Sequence, residues 1–131
     1  MTNISSIIQK ELYRVEIESL SGNVVISDEP LEMGGKDLGF SPTELLASAL
    51  AACTSATLRM YADRKEWDLQ EVKLEVDLDW DEKASKTVIN RKMQLFGNLD
   101  QKQRDRLFKI ANACPVHKML SNSIEINTEI A

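Results

Sequence analysis

The stretch SPTELLASALAACTSA, residues Ser41 to Ala56, decides the fold. Ser41 is typical of a helix N-cap, Pro42 suits the first helical position, and Glu44 stands where a capping box places an acid. Beyond them about eleven residues, on the order of three helical turns, carry no charge. Because a helix without a polar stripe is normally buried on every side, and because this uncharged run is too short to span a bilayer, the burial must come from protein. The pattern predicts a central helix with Cys53 in its middle.

Composition restricts the class of protein. The chain has 131 residues, a net charge of -5, 43% hydrophobic and 28% charged residues, which is ordinary for one globular domain over residues 1–131. The acidic balance argues against a nucleic-acid partner, which needs clustered Lys and Arg. The sequence shows no signal-peptide pattern, and it holds two cysteines. These features predict a cytoplasmic protein, without a membrane partner, in a reducing compartment.

Alternation of polar and apolar residues predicts the strands. Residues 12–19 and 24–27 form a hairpin around the turn Ser21-Gly22-Asn23, and residues 72–80 and 87–96 form a second pair. Residues 124–130 alternate as a final strand. Residues 1–9 are predicted to be a loose start, and residues 28–40 a loop of mobile backbone or close approach.

Two helices are predicted besides the central one, which continues to about residue 66. Asp100 and Gln103 form a capping box that opens the first of them. That helix must break at Cys114, because proline disfavours the helical conformation of the residue before it, and Pro115 can start a short new helix. The order of elements predicts an α+β fold with mainly antiparallel sheets around a long central helix.

The two cysteines leave several kinds of site open. Cys53 and Cys114 suit a peroxidatic and resolving pair, although each alone is more often a packed core residue. A zinc site would use Cys53, Cys114 and His117, the only histidine, but a fourth ligand is missing from the pattern. A Cys-His hydrolase would need an acid to orient His117, and the sequence identifies none. No metal and no cofactor are therefore predicted.

Four segments of the sequence form a recognisable set. They are Gly34-Gly35-Lys36-Asp37, Ser41 to Leu46 with Cys53 downstream, Arg59 to Asp63, and Cys114-Pro115-Val116-His117. Together they resemble the OsmC/Ohr family of osmotically inducible and organic hydroperoxide resistance proteins. The resemblance covers nearly the whole chain and is closer to the broader OsmC-like branch. Its most specific part is the Ser-Pro-x-Glu-Leu-Leu block with a cysteine downstream, combined with Cys-Pro-Val.

The resemblance implies an intertwined homodimer and a thiol peroxidase that reduces organic hydroperoxides with a dithiol reductant. It implies that Cys53 is peroxidatic, that Cys114 resolves the sulfenic acid as a disulfide, and that Glu44 is the acid that orients a catalytic arginine. The family's peroxidases carry this arginine in an N-terminal strand or its turn. The Ser21-Gly22-Asn23 turn has no arginine, so Arg14 on the first strand is the candidate.

Two interpretations of Glu44 stay open. On a straight helix nine residues turn through about 900° and rise roughly 13 Å, so Glu44 and Cys53 point in opposite directions. A catalytic Glu44 would then come from the partner subunit, whereas a structural Glu44 only closes the capping box with Ser41. The alternative function is a non-catalytic module that binds a small apolar ligand, with both cysteines merely packed.

Overall fold

The computed structural model describes residues 1–131 and contains five strands, three α-helices and one short 3-10 helix. The chain forms two compact units, residues 1–46 and residues 47–131. The α+β prediction with antiparallel sheets and a long helix is confirmed. The elements are β1 (Ile4–Ile8), β2 (Val15–Ser19), β3 (Val24–Ser27), the 3-10 helix (Leu31–Met33), α1 (Pro42–Arg64), β4 (Asp68–Asp81), β5 (Lys86–Asn98), α2 (Gln101–Ala111) and α3 (Pro115–Ser121).

The first unit contains a three-stranded antiparallel sheet in the order β1-β2-β3. The predicted hairpin is confirmed, but its first strand begins at Val15 and not at residue 12, so Arg14 lies just before the strand. The turn closes with a hydrogen bond of 2.9 Å from Ser19 N to Asn23 O. Gly22 adopts a φ of 90°, a conformation that glycine accepts without strain. The prediction of a loose start was wrong for Ile4–Ile8, which pairs with β2. The sequence of β1 does not alternate between polar and apolar residues, because none of its five side chains is buried. The strand therefore left no signal in the sequence.

The loop after β3 is organised by a buried carboxylate. Asp28 is 2% exposed, and its oxygens accept hydrogen bonds from the backbone N–H groups of Tyr13, Glu29, Lys36 and Leu38 at 2.8–3.3 Å. The close approach of backbone segments predicted for this loop is confirmed at Gly35 and Gly39. A Cβ there would lie 2.0 Å and 2.1 Å from a backbone carbonyl oxygen.

Helix α1 begins as predicted. Ser41 N donates to Glu44 Oε1 at 2.9 Å and Glu44 N donates to Ser41 Oγ at 3.3 Å, so the capping box is complete. The expected burial on all sides is not reached within one chain. Leu50, Thr54, Leu58 and Ala62 are the buried residues, and they stand four apart on a single face.

Helix α1 is the one element long and apolar enough to cross a membrane when judged by length and composition alone. The core helix of a soluble protein meets the same criterion. Leu58 and Ala62 of α1 belong to the buried apolar cluster of the second unit, together with Leu69, Leu107 and Ala111. Helix α1 is therefore a core helix of this unit.

The second unit also holds the antiparallel hairpin of β4 and β5, paired from Asp68↔Asn98 to Asp81↔Lys86. Both strands extend beyond the predicted bounds. The capping box of α2 is confirmed at Asp100 and Gln103, and α3 begins at Pro115 as predicted. The prediction of a strand at residues 124–130 was wrong, because no neighbouring strand pairs with this exposed segment within the chain.

Candidate functional site

Cys114 lies at the junction of α2 and α3. It is the N-cap residue of α3, where its Sγ accepts a hydrogen bond from the backbone N–H of His117 at 3.4 Å. Pro115 at the first helical position accounts for the break, since it excludes the preceding residue from the helical region. The thiol is free and fully buried.

Thr54 of α1 faces this thiol. Its Oγ1 lies 3.8 Å from Cys114 Sγ and donates to the carbonyl oxygen of Leu50 at 2.7 Å. Thr54 is fully buried because it belongs to the one face of α1 that packs inward. A buried hydroxyl that bonds within its own helix is fixed in orientation, so Thr54 presents a defined oxygen to its neighbours.

Arg91 of β5 joins the three helices. Its Nη1 donates to Thr54 Oγ1 at 2.9 Å, and its Nη2 donates to Asn112 Oδ1 at 2.8 Å and lies 3.4 Å from His117 Nδ1. A guanidinium only donates, so Nδ1 must be the acceptor in this contact. The imidazole proton of His117 is then on Nε2.

A cleft of about 630 Å³ opens beside this network. Arg91, Asn112 and His117 form part of its wall, and the side chains of α1, β5, α2 and α3 form the rest. Its volume falls in the range of small-molecule sites, about 300–1,000 Å³. The lining residues are Leu50, Thr87, Ile89, Arg91, Met93, Phe108, Asn112, His117, Leu120 and Ser121.

Cys53 is the more accessible of the two thiols. It is half-buried and free. It precedes Thr54, so its Cα lies about 3.8 Å from that of Thr54 and its side chain about 100° around the helix axis. The structure therefore brings Cys114 against the turn of α1 that carries Cys53.

Glu44 and Arg14 lie in the first unit. The backbone N–H of Ser41, and after it the Ser41 hydroxyl, lower the pKa of the Glu44 carboxyl. The bond from the Ser41 N–H belongs to the capping box. Arg14 Nη1 lies 3.8 Å from Glu16 Oε2. The Glu44 contacts cap α1, and the Arg14 contact is an exposed ion pair.

Sequence reasoning missed Arg91, Thr54 and Asn112. A signal was present in β5, because Arg91 occupies the same face of the alternating strand as Ile89, Met93 and Leu95. A single charge within an otherwise apolar face indicates a side chain with a buried polar partner. Arg91 therefore differs from Lys73, Glu75 and Lys92, whose side chains are exposed.

The zinc alternative gains no support from the geometry. No group of three or more His, Cys, Asp or Glu side chains lies close enough to hold a metal ion. His117 Nδ1 faces Arg91 and its backbone N–H faces Cys114. The ring nitrogen Nδ1 of His117 therefore faces a guanidinium, which repels a metal cation.

Comparisons with known proteins identify the family. The family of OsmC-like proteins matches over residues 34–129, and the chain belongs to this family. No match was found among curated proteins.

Solved structures of the family share the fold. A protein from Psychrobacter arcticus 273-4, assigned to the osmotic stress induced and detoxification response, is 30% identical with a TM-score of 0.78, covering 91% of this chain and 88% of that one. An organic hydroperoxide resistance protein OsmC from Legionella pneumophila is 22% identical with a TM-score of 0.67 over 91% and 88%. The organic hydroperoxide resistance protein OhrB of Bacillus subtilis is 22% identical with a TM-score of 0.62 over 91% and 89%.

Proposed function

We propose that this protein is a thiol-dependent peroxidase that reduces organic hydroperoxides through Cys53 and Cys114. Support comes from the family, from two relatives in it that are organic hydroperoxide resistance proteins, and from one geometric observation. Cys114 Sγ lies 3.8 Å from the hydroxyl of Thr54, the residue next to Cys53. A disulfide needs Cα atoms within about 7 Å of each other, and this packing favours such a distance.

The exposure of the two thiols suits a division of roles. Cys53 attacks the peroxide oxygen, which cleaves the O–O bond, releases the alcohol and leaves a sulfenic acid on Cys53. The thiol of Cys114, buried and out of reach of the oxidant, then condenses with the sulfenic acid, forming the disulfide and releasing water. A dithiol reductant restores both thiols by exchange and leaves as its own disulfide.

Glu44 and Arg14 are proposed as accessory residues. In this scheme Glu44 orients an arginine, and it comes from the partner subunit of a homodimer because its own helix directs it away from Cys53. A cytoplasmic location would supply the reductant and keep both thiols reduced. The prediction of a single domain is retained, since α1 continues across the boundary between the two compact units.

The experiment is consumption of cumene hydroperoxide in the presence of dithiothreitol by wild type, Cys53→Ser and Cys114→Ser. We expect Cys53→Ser to be inactive. We expect Cys114→Ser to form a sulfenic acid on Cys53 that dimedone traps, and oxidised wild type to lose the mass of two hydrogens in intact mass spectrometry. Thr57→Ser, a change at a half-buried hydroxyl one turn beyond Cys53, is the control and keeps activity. Equal consumption by Cys53→Ser and wild type contradicts the proposal.

A second candidate function is non-catalytic binding of a small apolar ligand. The observation that favours it is the cleft of about 630 Å³, whose wall includes Leu50, Ile89 and Phe108. Wild-type protein that neither consumes hydroperoxide nor forms the disulfide would favour this second candidate.

A further inference from the structure

The Arg91 guanidinium has no carboxylate partner. The four ion pairs of the chain join other residues, and the hydrogen-bond acceptors of Arg91 are the neutral side chains of Thr54, Asn112 and His117. A guanidinium carries five N–H donors, and these three contacts leave two of them unpaired. Arg91 is half-buried, so its charge is partly removed from water. A positive charge in such a position favours an anion.

The cleft beside Arg91 carries no other full charge. None of its lining residues is Asp or Glu, and His117 is neutral in the tautomer that accepts from Arg91. The Nε2–H of that tautomer is a further donor without a partner in the chain. The wall of the cleft therefore combines one cation, unpaired N–H donors and no negative charge.

The rest of the cleft combines five apolar side chains with the hydroxyl groups of Thr87 and Ser121. The apolar side chains come from α1, β5, α2 and α3: Leu50, Ile89, Met93, Phe108 and Leu120. Phe108 is 61% exposed, so the cleft has an apolar surface that a ligand chain can cover. Burying apolar surface stabilises a complex by roughly 25 cal/mol per Å².

We propose that this cleft binds an alkyl carboxylate, with its head on Arg91 and its chain along the apolar wall. A planar carboxylate matches the fork of a guanidinium, which is the geometry that arginine recognises bidentately. The single positive charge of Arg91 balances one negative charge on the ligand. The apolar side chains of the wall favour a ligand that also carries an alkyl chain. This inference does not rest on peroxidase activity, because no step of it uses either thiol.

The test is isothermal titration of reduced full-length protein with octanoate, with octan-1-ol as the uncharged ligand of equal chain length and inorganic phosphate as an anion without a chain. We expect octanoate to bind more tightly than the other two. Arg91→Gln should weaken octanoate binding about 10- to 100-fold, the usual range for hydrogen bonds to a charged group, and leave octan-1-ol unchanged. Arg91→Lys should retain part of the affinity because it keeps the charge and loses the fork.

The matched control is Lys92→Gln. Lys92 follows Arg91 on β5 and points to the opposite face of the hairpin, so removing its charge should leave octanoate binding unchanged. Amide chemical-shift mapping of wild type adds a readout independent of the variants, in which octanoate should move the signals of Asn112 and His117. Cys53→Ser should bind octanoate like wild type, which separates this proposal from the peroxidase proposal.

Three results overturn the proposal. They are absence of octanoate binding to wild type, equal binding by wild type and Arg91→Gln, and shifts confined to residues outside the cleft. If octanoate does not bind and Arg91→Gln instead changes the monomer–dimer equilibrium in sedimentation, the guanidinium serves a subunit interface and the proposal is wrong.

Discussion

At the residue scale, Asp28 organises more backbone than any other side chain described above. Oδ1 accepts from the N–H groups of Tyr13 and Glu29, and Oδ2 accepts from those of Lys36 and Leu38. Burial alone would raise the pKa of the Asp28 carboxyl, but the four N–H donors together bring that pKa below its ordinary value of 3.8. The carboxylate therefore stabilises the loop in its ionised form.

We expect Asp28→Asn to lower the melting temperature at pH 7, because the amide NH2 then faces two backbone donors in place of an acceptor. The folded pKa lies below the unfolded one, so the stabilisation is present above pH 3.8 and is lost as the pH falls through the folded value. The difference in melting temperature between wild type and Asp28→Asn should therefore shrink in acid. Asp37→Asn is the control, since the Asp37 side chain makes none of these bonds. A constant difference from pH 7 to pH 3 contradicts this assignment.

Thr54 gives a second prediction at this scale. Thr54→Val keeps the shape of the side chain but removes the hydroxyl that accepts from Arg91 and donates to Leu50 O. We expect a loss of about 1–3 kcal/mol in the free energy of unfolding, the cost of a buried hydrogen-bonding group left without its partner. Thr57→Val makes the same change at a half-buried position of α1, and urea denaturation of the two variants compares them. Equal losses would mean that the Thr54 network adds no stability.

At the element scale, one variant in the first turn of α1 distinguishes two roles for Glu44, which are capping of the helix and participation in catalysis. Glu44→Gln keeps the side-chain oxygen that accepts from Ser41 N, so we expect the stability of the helix at pH 7 to change little. If Glu44 also serves the thiol chemistry, the same variant should lose peroxidase activity, because an amide cannot replace a carboxylate as partner of an arginine. Thermal unfolding measures the stability of the variant, and hydroperoxide consumption by the same preparation measures its activity. Unchanged stability together with unchanged activity would make Glu44 a helix cap only.

The packing of α2 against α1 supplies a prediction about the core. Leu107 is fully buried in the cluster with Leu58 and Ala62. We expect Leu107→Ala to cost about 2–5 kcal/mol in the free energy of unfolding, since it removes buried apolar surface and leaves a cavity. Lys102→Ala on the exposed side of α2 should change it by less than about 0.5 kcal/mol. Urea denaturation measures both, and a loss below about 1 kcal/mol for Leu107→Ala would show that the cluster collapses around the gap.

At the scale of the whole molecule, the uncovered part of α1 favours a second copy of the chain. Only 22% of the most apolar stretch of α1 is buried within the chain. Met60 of this helix is 63% exposed. The small residues along α1 allow close approach of two helices. We therefore expect a dimer in sedimentation equilibrium at micromolar concentration.

The dimer prediction has its own variant. Met60→Glu places a charge on the exposed face of α1 and should weaken association at least tenfold, because that charge would be desolvated in an interface. Leu20→Glu, at the turn between β2 and β3, changes an exposed leucine outside α1 and should leave association unchanged. A monomeric wild type with its native spectrum contradicts the prediction.

The sequence by itself determined the elements whose signals lie within a few residues of one another. Both capping boxes, the helix start at Pro115 and the turn at Gly22 are local arrangements of hydrogen bonds and dihedral angles. The alternation of β4 and β5 also predicted their pairing, because a period of two fixes which side chains share a face. The family followed from these motifs and their order.

The tertiary structure alone decided which side chains meet. Arg91 and Thr54 are 37 residues apart in sequence, and no local rule states that a strand side chain will reach a helix hydroxyl. Ile4–Ile8 became a strand because β2 offered an edge, while residues 124–130, whose alternation is more regular, found no partner strand in the chain. Strand pairing and polar networks depend on the neighbour that packing supplies, so the segment's own pattern cannot determine them.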